Sequence, residues 1–205
     1  IRDKEVVKDV FSDFKPQVIF HAAAYKHVSP MELYPEEAIK TNILGTLNLI
    51  QSSKNLECVE KFIYISTDKV VNATSIMGAT KKVGEIMVIN QGYNVVRFGN
   101  VLGSRGSVIP IWQRQMDNNK PLTITDSRME RYMMTIPQAV GLVIEASKMP
   151  QDGRIVILDM GIRINVKNLA ESIIKQSGKE LGIKEIGIRP GEQLKEELMT
   201  QEEKS

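Results

Sequence analysis

Thr67, Asp68 and Lys69 set a hydroxyl, an acid and an amine in consecutive positions, directly after the apolar run from Phe62 to Ile65. Side chains of these types can donate, accept and hold protons around one small molecule. A second amine follows at Lys81, with Met77 four residues before it. Positions i and i+4 project from one helical face, so residues 77 and 81 can address a single ligand. The end of an apolar strand is also where open α/β sheets bind their ligands. The stretch from Tyr64 to Lys81 is a reaction site in outline.

The elements that must position these groups alternate along the chain. Pro16 to Ala24 reads as a short buried strand ending in small residues, which admit a bulky ligand close to the backbone. From Pro35 to Asn55 the apolar residues Ala38, Ile39, Ile43, Leu47 and Ile50 recur at helical spacing, behind Pro35, Glu36 and Glu37, a favourable helix start. A strand over 61–65, a helix over 78–91 and a strand over 93–98 follow. This βαβ alternation predicts a parallel sheet, and right-handed crossovers put the strand ends at 22–24, 66–69 and 99–101 on one edge. Further on, short strands are expected at 122–125 and 154–160 and helices at 136–149 and 166–176, with a turn at Arg189-Pro190-Gly191-Glu192 and a solvated tail over 200–205.

Composition narrows the class. A chain of 205 residues, 42% hydrophobic, is long enough to bury one sizeable core with a small appended subdomain. Its 27 basic and 25 acidic residues nearly cancel, which argues against nucleic acid as a partner. Cys58 is the single cysteine, so no internal disulfide forms, in keeping with a reducing, cytoplasmic compartment. No apolar run reaches the roughly 20 residues that span a bilayer, so no membrane contact is expected from the chain itself. No metal-ligand cluster stands out. The abrupt start at Ile1-Arg2-Asp3 predicts an upstream segment.

The motifs H-A-A-A-Y-K-H-V at 21–28, K-T-N-I-L-G-T at 40–46, I-S-T-D-K at 65–69, M-G-A-T-K at 77–81, R-F-G-N-V-L-G-S-R-G-S-V-I-P at 97–110, R-M-E-R-Y-M-M-T at 128–135 and R-P-G-E at 189–192 carry a resemblance that covers nearly the whole chain. Together they closely resemble the nucleotide-sugar 4,6-dehydratases of bacterial polysaccharide biosynthesis, extended short-chain dehydrogenases/reductases that act on UDP-N-acetylglucosamine. The resemblance implies an α/β fold: a Rossmann-like, doubly wound parallel sheet, N-terminally incomplete, with a small C-terminal substrate-binding subdomain. Residues 1–102 would form the partial NAD(P)-binding domain and 103–205 mainly the substrate cap, with segments returning to the core. Two departures stand out. The family's glycine-rich pyrophosphate loop is absent from the sequence, and Met77 replaces the usual tyrosine. Both resemble a piece of one of the large members whose catalytic domain follows transmembrane helices, anchored at the cytoplasmic face of the inner membrane.

The implied reaction oxidises C4 of the sugar by hydride transfer to NAD or NADP, eliminates water across C5 and C6, and returns the hydride to C6. Lys69 is the expected base at C5 and Asp68 the expected acid for the C6 hydroxyl, with Thr67 on the C4 oxygen. Met77 cannot act as a base. Either another group or a water chain takes the C4 hydroxyl proton, or a relay through Thr67 and Asp68 does, and Met77 itself either fills a packing gap or shapes the substrate site. Lys81 resembles the lysine that holds the nicotinamide ribose. Ala22, Ile65, Ser66 and Val101 lie where the family lines its cofactor, and Ile1 resembles the residue after a Gly-Asp pair at the end of an upstream strand. For the UDP-sugar, Lys26 and Asn100 resemble substrate contacts, Arg105, Arg131 and Arg189 offer guanidinium forks to phosphate, and Glu192 resembles the carboxylate on the uridine ribose. His21, His27 and Asn42 read as structural. The resemblance also implies a homo-oligomer.

Two alternatives accompany this expectation. A nucleotide-sugar 4-epimerase or reductase would share the fold, but epimerisation needs no elimination acid and base. A catalytically silent sugar-nucleotide-binding module would stay inactive even with an upstream loop restored.

Overall fold

The computed structural model describes residues 1–204. Four parallel strands form the main sheet: β1 (Val18–His21), β2 (Lys61–Ile65), β3 (Asn94–Arg97) and β7 (Ile155–Ile157), in the order β1-β2-β3-β7. Register pairs His21 with Tyr64 and Ile65 with Val96, which brings the strand ends level.

Alternation along β2 explains how the sheet holds two layers together. Phe62 and Tyr64 face α1 (Lys4–Phe14) and α4 (Gly45–Lys54), where they join Val7, Phe11, Leu49 and Ile50. Ile63 faces the other way and packs with Val96 of β3 and with Ala139 and Ala146 of α7 (Ile136–Ser147). Successive strand residues point to opposite faces, so one five-residue strand serves both cores.

Between β1 and β2 lie α2 (Val28–Leu33), α3 (Pro35–Ala38) and α4, with a π-helical turn at Ile39–Leu44 between the last two. The periodicity over 35–55 predicts one unbroken helix; the structure inserts this wider turn. Its physical reason is Asn42, whose buried side chain accepts from Tyr25 N at 2.8 Å and donates to Tyr25 O at 3.0 Å and Thr80 Oγ1 at 3.0 Å. Thr46 Oγ1 donates to the Asn42 carbonyl at 2.7 Å. A wide turn of this kind re-aims side chains without ending the helix.

After β2, a 3₁₀ turn at Asp68–Val70 leads to α5 (Ile76–Ile89), which Ser75 caps by accepting from Gly78 N. The chain then adds β4 (Asn100–Val101), α6 (Val108–Asp117), β5 (Leu122–Ile124), β6 (Glu130–Met134), β8 (Arg163–Asn165), α8 (Val166–Ser177) and β9 (Ile183–Glu185). β6 joins β4 in parallel and β8 antiparallel, and β5 pairs with β9. Trp112, Met116, Leu122, Ile124, Met129, Val166 and Ala170 form a separate core beneath these pieces. Residues 155–157 lie within the main sheet, so the second half of the sequence returns to the first.

Candidate active site

The ends of β1, β2 and β3 open onto a cavity of about 340 Å³ lined by Ala22, Ala24, Ile65, Ser66, Thr67, Lys69, Met77, Lys81, Gly99, Asn100 and Val101 among others. The strand-end residues expected on one edge therefore do meet. A second cavity of about 400 Å³ adjoins it and holds Arg131, Arg189, Glu192 and Glu196. Lys26, His27, Lys69, Asn100 and Gly106 line both.

The Thr67-Asp68-Lys69 turn is built tightly. Asp68 N donates to Phe98 O at 3.0 Å, tying the turn to the end of β3. Asp68 Oδ1 accepts from Thr67 Oγ1 at 3.0 Å and from Lys69 Nζ at 2.9 Å, and Lys69 Nζ also donates to Asn100 Oδ1 at 3.1 Å. Asp68 is wholly buried and lies behind the cavity wall that Thr67 and Lys69 form. Its second oxygen, Oδ2, has no hydrogen-bond partner among the described residues. Gly99 keeps space beside that oxygen, since a Cβ there would stand 3.0 Å from it.

Helix α5 delivers Lys81 and Met77 as the four-residue spacing requires. Lys81 Nζ donates to Ile65 O at 2.6 Å and sits 3.9 Å from the centroid of the Tyr64 ring. Burial pulls its pKa down to about 7, against a smaller opposing pull from Glu85. Behind the same ring lies His21, whose Nε2 is 2.8 Å from Thr46 Oγ1; burial, then Lys81 and the N-terminus, drive its pKa down to about 3. His21 is thus a neutral packing residue. Met77 is 2% exposed and packs with Met31 and Ala38, while its edge reaches the cavity wall.

On the substrate side, Lys26 Nζ donates to Ser104 Oγ at 3.1 Å across the cavity mouth. Burial lowers the pKa of Lys26, and burial followed by the nearby Lys26 charge lowers that of His27. His27 lies under Gly106, where φ is +71° and a Cβ would approach His27 Cε1 to 2.7 Å, so glycine is required on both grounds.

Not every expected residue is brought in. Ile1 stands apart from both cavities, packing against the α1 side of the core, with its carbonyl accepting from Asn48 Nδ2 at 3.0 Å. Arg105 is exposed on its loop and lines neither cavity, although Ser104, Gly106 and Ser107 beside it line the first. Arg131 lines the second cavity, but its Nη1 and Nη2 donate to the carbonyls of Glu130, Leu194 and Gln193 at 2.6–2.9 Å. It clamps the C-terminal segment and keeps little of its fork for a ligand. Arg189 and Glu192 share the wall of the second cavity, joined by Arg189 N donating to Glu192 Oε2 at 3.2 Å.

One buried carboxylate beside the site carries no signal in the sequence. Glu196 is 3% exposed and lies 4.0 Å from Lys69 Nζ and 3.9 Å from Arg131 Nη2. Burial raises its pKa; Lys69 and Arg131 act against the rise, and Asp68 and Glu192 with it. In the sequence it is the middle of Lys195-Glu196-Glu197, which looks like a solvated charge run.

An α/β domain with a parallel sheet, and a polar turn after its second strand facing a lysine on the next helix, defines a Rossmann-type extended short-chain dehydrogenase/reductase. The chain belongs to the polysaccharide biosynthesis protein family, which it matches over residues 1–205. It is 46% identical over 213 aligned positions to the capsular polysaccharide biosynthesis protein CapD of Staphylococcus aureus, covering 99% of this chain and 35% of that protein. It is 35% identical to the UDP-glucose 4-epimerase of Rickettsia bellii, covering 99% of this chain and 61% of the relative. The crystal structure of Pen from Bacillus thuringiensis superposes with a TM-score of 0.92 at 38% identity, covering 98% of this chain and 66% of Pen. The chain therefore spans about a third of the length of CapD.

Proposed function

We propose that this chain carries the reaction site of an NAD(P)-dependent UDP-N-acetylglucosamine 4,6-dehydratase serving polysaccharide biosynthesis. The observation that carries the reading is the Thr67–Asp68–Lys69 network, which places a hydroxyl and an amine on the cavity wall with a buried carboxylate joined to both. An elimination needs both an acid and a base, and this turn supplies them within one hydrogen-bonded group.

The first cavity suits the nicotinamide end of a dinucleotide. Ala22 and Ala24 leave room at its wall, the buried Ser66 Oγ is without a hydrogen-bond partner, and Lys81 faces in. A dinucleotide held there by these residues would supply the hydride acceptor for C4 and the hydride donor for C6. Thr67 Oγ1 takes the C4 hydroxyl proton as it passes its own to Asp68 Oδ1, which suits a site where Met77 replaces a tyrosine. Lys69 then removes the proton from C5. Asp68, behind the cavity wall, returns its proton through Thr67 Oγ1 to the departing C6 hydroxyl, so that water leaves and the carboxylate is restored. Lys69 returns its proton to C5 when C6 is reduced. The second cavity holds the UDP moiety through Arg189, Lys26 and Glu192.

A UDP-sugar 4-epimerase is the second reading, favoured by the Rickettsia relative's name. Incubation of the full native protein with UDP-N-acetylglucosamine and the cofactor, followed by chromatographic separation of the sugar nucleotides and mass spectrometry, separates the two. Loss of about 18 mass units, abolished in Lys69→Ala, supports dehydration. An isomer of unchanged mass supports epimerisation and sinks the first reading.

Two wider parts of the reading concern the whole protein. Exposed Ile39, Leu44, Val83 and Ile86 on the π-turn and α5 suit a homo-oligomer. No helix among the described residues is long and apolar enough to cross a membrane, and attachment at the cytoplasmic face would come through another segment.

A further inference from the structure

Lys69 stands between two carboxylates, and only one of them belongs to the turn that carries it. Asp68 touches Nζ at 2.9 Å, while Glu196 approaches it at 4.0 Å from the opposite half of the chain. Glu196 reaches this place because its segment is strapped down. Arg131 donates to the carbonyls of Gln193 and Leu194, Glu130 N donates to Leu194 O at 2.9 Å, and Arg163 Nε donates to Glu196 O at 3.2 Å. The carboxylate is 3% exposed and lines the second cavity. Taking a carboxylate out of water costs stability unless cations or hydrogen bonds compensate it, and the cations within reach are Lys69 and Arg131.

We propose that Glu196 is a positioning residue: it fixes the Lys69 amine over the seam between the two cavities and stabilises the ammonium that forms when Lys69 takes a proton from the substrate. This rests on the reading of Lys69 as the elimination base. Arg131 then has a definite part in the site, because it anchors the Glu196 segment and shares the Glu196 charge. The charged groups that face Glu196 are Lys69 and Asp68 from the turn after β2, Arg131 from β6 and Glu192 from its own segment. Burial raises the pKa of Glu196, so its charge responds to pH where an exposed glutamate's would not.

Glu196→Gln keeps the shape and removes the charge. In the full native protein it should lower kcat by about tenfold or more, move the acid limb of the pH–rate profile, and leave UDP affinity by calorimetry within about twofold. Glu196→Asp should restore part of the rate. An unchanged kcat and pH profile, or a loss of UDP affinity as large as the loss of rate, overturns the proposal. A second readout does not depend on turnover: peptide-mapped acetylation of Lys69 at a fixed pH of about 8 should run about threefold faster in Glu196→Gln, because a nearby anion favours the charged amine. If the wild type forms no dehydrated product, the function proposed above fails, yet faster labelling still upholds the Glu196–Lys69 coupling. Unchanged labelling overturns it. Should the glutamine variant fail to fold, the aspartate variant carries the same two measurements, with smaller shifts expected in the same directions and no shift counting against the idea.

Discussion

Met77 and Lys81 share one helical face yet live in different physics. The thioether is held by apolar neighbours and gives the cavity a shaped, unreactive wall, whereas the amine is buried over an aromatic ring with a carbonyl oxygen as its hydrogen-bond partner. Burial of an ammonium favours the neutral form, so folding costs Lys81 part of its proton affinity, and its pKa falls from 10.5 to about 7. The consequence for stability has a definite sign. Between the folded and unfolded values the unfolded chain binds the proton that the folded chain has released, so stability climbs as pH rises through this window. Urea unfolding at pH about 7 and about 9 should show the wild type gaining on the order of 1–3 kcal/mol relative to Lys81→Met, whose own curve lacks this component. Equal pH slopes in the two proteins would mean that Lys81 keeps its proton in the fold.

At the scale of elements, α5 is held against the catalytic turn by the absence of side chains. A Cβ on Gly78 would overlap the Lys69 carbonyl oxygen, and one on Gly84 would overlap the Tyr64 hydroxyl. Both neighbours are fixed, the first as backbone and the second in a buried ring. Gly78→Ala must push α5 away from the turn and shift Lys69 with it. We expect a loss of about 1–3 kcal/mol in stability. Because small misplacements are costly in a site, kcat should fall by about a hundredfold. Thermal melting and turnover measured on one preparation check both. A variant with wild-type turnover would show that the turn does not depend on this contact. The sequence reveals such an element, and the helix forms at 76–89, two residues ahead of the expected 78–91 because Ser75 caps it; it does not reveal which glycine stands against a neighbour. The same boundary runs through the site. Thr67, Lys69, Lys81 and Asn100 were legible because strand ends and helical spacing are local features. The bond pattern of Arg131, the exposure of Arg105, the distance of Ile1 from the cavities and the burial of Glu196 depend on contacts between residues far apart in sequence. The π-helical turn was hidden for the same reason, since Tyr25 supplies the backbone groups that Asn42 binds.

Across the whole molecule, one buried guanidinium ties the C-terminal segment of the chain to its middle. Arg97 of β3 is fully buried and donates to Glu85 of α5 through Nε and Nη2, to both carboxylate oxygens of Glu203, and to the carbonyl of Leu198. Burial alone would lower its pKa, but the bonds to Glu203 and Glu85 outweigh burial and raise it. Those bonds also hold Glu203 down at about 2, so its contribution is present above the ordinary 4.5 and is lost as pH falls toward 2. The clamp fastens the segment after Glu196 to the sheet and so supports the placement of Glu196 beside Lys69. A buried ion pair is costly to break by halves and cheap to replace whole, because the loss of one partner strands the other's charge away from water. Glu85 is wholly buried, whereas the Glu203 side chain is 24% exposed and can recover some hydration. Arg97→Met should therefore cost about 3–5 kcal/mol in urea unfolding, and adding Glu85→Leu should recover most of it. If the double variant is no more stable than the single one, the clamp works through its bonds to Glu203 and Leu198, and the charge of Glu85 is compensated by Lys82 at 3.2 Å.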